Sequence, residues 1–153
     1  MSSKAGASRS KARAPISCTI TLFSRSTDPL DIALPADTLA PFVDEAQAAL
    51  QAAHPGCRLI VFGHLGDGNL HFNVSPPLGE AHQAFLARQH DVHRITHDLV
   101  HQHRGSISAE HGLGQLRRDE NARLKSPVEL RLQRAIKQAL DPLGLMNPGK
   151  VLG

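Results

Sequence analysis

Arg58-Leu59-Ile60-Val61-Phe62-Gly63-His64-Leu65-Gly66-Asp67-Gly68-Asn69-Leu70-His71-Phe72-Asn73-Val74-Ser75 reads as two strands joined by a turn. Asp-Gly tolerates positive φ, and the runs on either side are rich in the β-branched, aromatic and aliphatic residues of strands. With Asp67 and Gly68 as the two central turn residues, Gly66 falls opposite Asn69, Leu65 opposite Leu70 and His64 opposite His71. Side chains alternate along a strand, so Leu59, Val61, Leu65, Leu70, Phe72 and Val74 share one apolar face. Ile60, Phe62, His64, His71 and Asn73 share the other, which is neither a good core nor a good solvent surface. It reads as the wall of a pocket completed by something else. Directly opposed residues hold their Cβ atoms about 5 Å apart, so two imidazoles meet there, although a one-residue slip would part them.

Working outward, Leu30 to Leu34 alternates like a strand, and Pro35 to Thr38 breaks the pattern ahead of a helix that ends near His54-Pro55-Gly56. That helix carries Leu39, Phe42, Val43, Ala46 and Leu50 on one face. After Pro76-Pro77 a long helix is expected to about His103, stopped by Arg104-Gly105, with a short fourth strand at Ser106 to Ser108. The expected order is β-α-β-β-α-β, an α+β, ferredoxin-like split βαβ with an antiparallel sheet. C-terminal helices follow, the last from about Pro127 to Leu140 with Pro at a tolerated first-turn position. The end, Asp141 to Lys150, is an irregular tail rich in Pro and Gly.

At 153 residues, one domain with a real core is the expectation. An apolar content of 41% with few aromatics implies a core of Leu, Ile, Val and Ala. Residues 1–14 read as a flexible basic arm, residues 15–29 as a lead-in whose strand-like run from Ser17 to Phe23 has no evident place, and residues 30–153 as the domain. A net charge of +3 without interleaved aromatics or a recognition motif argues against specific nucleic-acid binding. Cys18 and Cys57 form neither a metal pair nor a disulfide framework, and no segment suits a membrane span, so a soluble cytoplasmic protein is expected. A transit-type arm is the alternative for residues 1–14.

Ser108-Ala109-Glu110-His111-Gly112 adds a carboxylate and a third imidazole in a Gly-flanked loop. Two imidazoles and one carboxylate, His64, His71 and Glu110, match the ligand set of a catalytic zinc or non-haem iron site, which keeps a position open for substrate. His111, not needed for coordination, is then the natural general base. The bland alternative is a helix-capping Glu110 paired with His111 on the surface. A second metal hypothesis comes from His90, His93, His97 and His101, which recur at helical spacing. That stripe lies roughly opposite Phe85, Val92, Ile95 and Leu99, which must face the sheet, so it is expected to be solvated. A histidine-rich metal-binding protein is therefore the weaker reading.

Four ordered stretches, Asp31 to Pro35, Gly63 to Asn73, Ser108 to Gly112 and Asp141 to Lys150, resemble the C-terminal domain of FAD-linked oxidases with a vanillyl-alcohol-oxidase-type flavin fold. The group includes D-2-hydroxyglutarate dehydrogenase, D-lactate dehydrogenase and the glycolate oxidase large subunit. The resemblance implies that His64, His71 and Glu110 hold a divalent metal, usually zinc, which grips the carboxylate and hydroxyl of a 2-hydroxy acid. It further implies that Asn73 and His111 touch the substrate, and that His111 removes the hydroxyl proton while hydride leaves for the flavin. Two departures accompany it. The upstream flavin-binding domain that holds most of the FAD is not recognisable here, and no glycine-rich phosphate loop is visible. In addition, Pro29 stands where many members carry a substrate-binding Lys. The expectation is thus a truncated or split FAD-dependent 2-hydroxy acid dehydrogenase, inactive alone and completed by a flavin-domain subunit. The rival is a non-catalytic interaction module or gene fragment that retains the scaffold.

Overall fold

The computed structural model describes residues 29–152, so the basic arm and, apart from Pro29, the lead-in lie outside the described residues. Three strands, β1 (Leu30–Ala33), β2 (Arg58–His64) and β3 (Asn69–Ser75), form an antiparallel sheet in the order β1-β3-β2. Five α-helices accompany them among the described residues: α1 (Leu39–Ala53), α2 (His82–Leu86), α3 (Gln89–Gln102), α4 (Arg118–Leu124) and α5 (Pro127–Leu140). The architecture is α+β. Leu30, Ile32, Phe72 and Val74 on one sheet face meet Phe42, Ala46 and Leu50 of α1 and Val92 and Val100 of α3, all fully buried. Burial of such side chains contributes roughly 1.5 to 3 kcal/mol each before entropy is counted. The expected face of α1 is the buried one, with Val43 at its edge.

The hairpin forms, with a register two residues away from expectation. His64 pairs with Asn69, Gly63 with Leu70 and Phe62 with His71. A two-residue type I′ turn needs positive φ at both central residues, but only Gly68 is left-handed here, at φ 69°. Asp67 N donates to His64 O at 3.1 Å and Gly68 N to Leu65 O at 3.4 Å, so residues 65–68 form a four-residue loop. A shift of two preserves the faces. His64 and His71 still share one, diagonally instead of opposite, whereas Leu65 leaves the apolar face for the loop and stands 73% exposed. Gly63 is obligatory because a Cβ there would lie 2.0 Å from Asn69 O on the paired strand.

Two other expectations are corrected. The fourth strand at Ser106 to Ser108 is reduced to a single antiparallel bridge between Ser106 and Ala33. The chain turns away there because Ser106 Oγ donates to Ser108 O at 2.8 Å and the next amides bond to Asp31 instead of continuing a ladder. The long helix after Pro77 is two helices, α2 and α3, separated by a turn closed by Arg88 N donating to Phe85 O at 2.9 Å. Arg104 at φ 58° ends α3, as the Arg-Gly pair suggested. The last helix has the expected bounds, fixed by a Ser126–Glu129 capping box around Pro127.

The helical histidine stripe is not uniformly solvated, because α4 covers part of it. His97 is 1% exposed and its Nδ1 lies 3.1 Å from Glu120 Oε2. Arg123 completes the clasp with Glu120 at 2.7 Å and Asp98 at 2.6 Å. Burial holds the His97 imidazole below its ordinary value of 6.5, against the opposing pull of Glu120. With the folded-state value depressed, the unfolded chain takes up a proton first as pH falls. Stability is therefore full above 6.5 and declines as pH drops toward the folded value. His97→Gln removes that dependence, so urea unfolding at about pH 7 and about pH 5 shows a larger loss in the wild type than in the variant. Equal losses would refute the assignment.

Candidate metal centre

His64 ends β2, His71 lies at the middle of β3 and Glu110 follows the Ser106 bridge. One ligand atom from each lies within 4.8 Å of the others, a grouping that joins residues up to forty-six positions apart in sequence. His64 Nε2 is 3.4 Å from Glu110 Oε1, and the His64 and His71 rings are 6.2 Å apart. Ligands at about 2 Å around one tetrahedral ion are roughly 3.4 Å from each other, so the present spacing lies within a side-chain adjustment of that geometry. Phe62 stacks at 5.0 Å on His71, which is 22% exposed at its side chain against 60% for His64. The cluster thus has a closed back and an open front.

Asp31 builds that back. On β1 it pairs with His71, so their side chains share a face, and it is 1% exposed. Its Oδ2 accepts the backbone N–H of both Glu110 and His111 at 2.7 Å, and its carbonyl accepts Ala109 N at 3.2 Å. Its Oδ1 is buried without a hydrogen bond and lies 3.8 Å from His71 Nδ1. Burial alone would raise its pKa, but the amides of His111 and Glu110 outweigh that and hold the carboxyl below the usual carboxylate range. A carboxylate behind a ligating imidazole fixes its tautomer and strengthens it as a ligand, and the orphaned Oδ1 suits that role. Asn69, also buried, donates from Nδ2 to Glu110 Oε1 at 2.5 Å and aims the carboxylate. The donor set and its supports fit a divalent cation such as zinc.

His111 projects beside the cluster, 73% exposed, with Nδ1 3.6 Å from Asp31 Oδ2, so one buried carboxylate backs two imidazoles. Asn73 is on the same face of β3 but buried, with Nδ2 donating to Ile60 O at 3.3 Å and Oδ1 without a hydrogen bond. The helical stripe does not join the site, since His97 is committed to Glu120.

In the sequence, Asp31 stands out only as part of a motif and Asn69 carries no functional signal. A signal for Asp31 existed: it is an acid inside a four-residue strand otherwise made of Leu, Ile and Ala. An acid buried there needs partners. The glycines at 63, 66 and 68 belong to the hairpin and not to a strand-to-helix phosphate loop, so they offer no cradle for a dinucleotide.

Residues 11–151 match the family described as FAD linked oxidases, C-terminal domain. The chain is 36% identical over 121 residues to D-2-hydroxyglutarate dehydrogenase of Stutzerimonas stutzeri, covering 79% of this chain and 26% of that protein. It is 40% identical over 123 residues to the mitochondrial D-2-hydroxyglutarate dehydrogenase of Bos taurus, covering 80% and 21% respectively. The mitochondrial enzyme of the same name from Arabidopsis thaliana is 38% identical over 122 residues, covering 80% and 20%. The chain therefore spans 20 to 26% of the length of these relatives.

Proposed function

The chain belongs to the family of FAD linked oxidases through their C-terminal domain, and from that premise we propose that it is the metal-and-base portion of an FAD-dependent dehydrogenase of D-2-hydroxy acids. The observation that carries the reading is the meeting of His64, His71 and Glu110 within 4.8 Å in front of buried Asp31. In it, these three residues hold a divalent ion, zinc by donor type, which when bound lowers the pKa of a coordinated hydroxyl group.

This chain's own residues do the rest of the substrate-side work. Asp31 keeps the Nδ1 edges of His71 and His111 toward itself, leaving the Nε2 of each free. His111 Nε2 then takes the hydroxyl proton of the 2-hydroxy acid, and Asp31 stabilises the imidazolium that results. Asn73, on the same face of β3, is assigned a substrate contact, for which its buried Oδ1 is without a hydrogen bond. The flavin that the family implies would accept the hydride, and we assign its binding to a flavin-carrying part of the enzyme. No flavin contact is assigned to a residue of this chain.

The Ser106–Ala33 bridge on the outer edge of β1 supports keeping the ferredoxin-like reading of the scaffold. No helix among the described residues is long and apolar enough to cross a membrane. A free, buried Cys57 accords with a reducing cytoplasm, which we propose as the location.

Elemental analysis tests the site. The purified chain is expected to retain about one zinc ion, and His64→Ala, His71→Ala and Glu110→Ala are each expected to weaken retention on the order of 100-fold. His97→Ala keeps the metal. Retention by all three ligand variants, or loss in His97→Ala, would overturn the assignment. Dye reduction driven by 2-hydroxy acid in flavin-free protein would overturn the division of labour.

A further inference from the structure

The end of α3 is closed by two backbone bonds, Arg104 N donating to His101 O at 3.0 Å and Gly105 N to Val100 O at 2.8 Å. This closure puts position 104 in the left-handed region, at φ 58°, where glycine is the usual occupant because a Cβ crowds the backbone. Gly105 is tightly held in turn, since a Cβ on it would lie 2.5 Å from Ala33 O of β1. An arginine is thus kept where its backbone is disfavoured, so position 104 is of use for its side chain.

Arg104 lines a cleft of about 440 Å³ between the end of α3, the Ser106 to Ser108 stretch and α4. Ile107, Leu113 and Leu124 give the cleft apolar walls backed by the core. Lys125 and Glu129, at its rim, neutralise each other at 3.1 Å. The guanidinium of Arg104 pairs with no acid among the described residues, so the cleft keeps a positive charge. Asn121, which also lines it, is 2% exposed. Its Nδ2 donates to Gln133 Oε1 and Val151 O at 3.3 Å, but its Oδ1 is buried without a hydrogen bond. A buried acceptor of this kind is costly until a donor reaches it.

Small-molecule sites combine apolar walls with a few polar groups that fix orientation. Each feature here selects one part of a ligand. The guanidinium fork suits a carboxylate, the apolar walls a compact hydrocarbon body, and Asn121 Oδ1 a hydroxyl donor. A bare inorganic anion would leave the apolar walls in water.

We propose that this cleft binds a small organic carboxylate that carries a hydroxyl group on an apolar body. The site needs neither metal nor flavin, so it is independent of the function proposed above. Its ligand lies against Ser106 and Ser108, on the stretch that leads to Glu110 and His111.

The probe is para-hydroxybenzoate, titrated into the isotopically labelled full chain while backbone amide shifts are followed by NMR. Saturable shifts are expected at Gly105, Ser106 and Leu124. Arg104→Gly is expected to weaken binding at least about tenfold. Its thermal midpoint should be no lower than that of the wild type, because glycine suits φ 58°. Phenol, which lacks the carboxylate, and inorganic phosphate, which lacks the apolar body, are each expected to bind at least about tenfold more weakly. Absence of saturable shifts at the cleft, or unchanged affinity in Arg104→Gly, would overturn the proposal. Phenol or phosphate binding as tightly as the probe would overturn it too, by reducing the cleft to an apolar patch or an adventitious ion site. Shifts confined to Asn69, Leu70 and Glu110 would move the carboxylate to the candidate metal centre, with the same consequence.

Discussion

Asp31→Ala is expected to lower stability by about 3 to 5 kcal/mol and to abolish metal retention. The carboxylate accepts two short backbone bonds, from Glu110 and His111, and hydrogen bonds to a charged group contribute roughly 1.5 to 3 kcal/mol each. Removing it leaves two amide donors without their acceptor and frees the loop that carries one proposed ligand and the proposed base. His71, paired with Asp31 across the strands, loses its neighbouring charge as well. Urea unfolding and zinc content after dialysis are the measurements, and a variant within about 1 kcal/mol of wild type would remove Asp31 from the centre of the site. Asp31→Asn keeps the shape and one acceptor, so it should fall between the two. The pH dependence has a definite sign. The folded-state pKa of Asp31 is lowered from 3.8, so its contribution is full above that value and is lost as pH falls through the lower, folded value.

Gly68→Ala is the second large effect, expected near 3 kcal/mol together with weakened metal retention at the proposed site. Gly68 sits at φ 69°, where a side chain costs roughly 1 to 2 kcal/mol. An added Cβ would also lie 2.0 Å from Leu34 O, a backbone atom that cannot step aside, and Gly68 O accepts Leu34 N at 2.9 Å. Relief requires parting the hairpin loop from the end of β1, which displaces His64 from His71 and Glu110. Gly66→Ala is the control: nothing lies within 4 Å of a Cβ there, and its effect should stay within about 0.5 kcal/mol. Thermal unfolding of the pair decides the matter, and equal midpoints would refute the close-approach account.

Much of the site was legible because local chemistry dictates it. Alternation along Arg58 to Ser75 placed His64 and His71 on one face, and that survived a register shift because the shift was two residues and not one. The stop at Arg104-Gly105 and the bounds of α5 follow from backbone and capping preferences that act within a few residues. Direct opposition of the two histidines was not legible, since loop length depends on the tie between Gly68 and Leu34, residues far apart in sequence. The burial of His97 was missed for a similar reason: periodicity locates a helix's sheet-facing side but says nothing of a later helix laid over the other side.

By itself, the sequence determined the three strands of the sheet, the limits of α1 and α5, the family and the donor types, because these depend on spacing and on side-chain chemistry. Only the tertiary structure decided that Asp31 stands behind His71 and His111, that Asn69 aims Glu110, and that Val128, Leu132, Ile136 and Leu140 of α5 stand exposed. Those are contacts between elements distant along the chain, and they are set by how the elements pack.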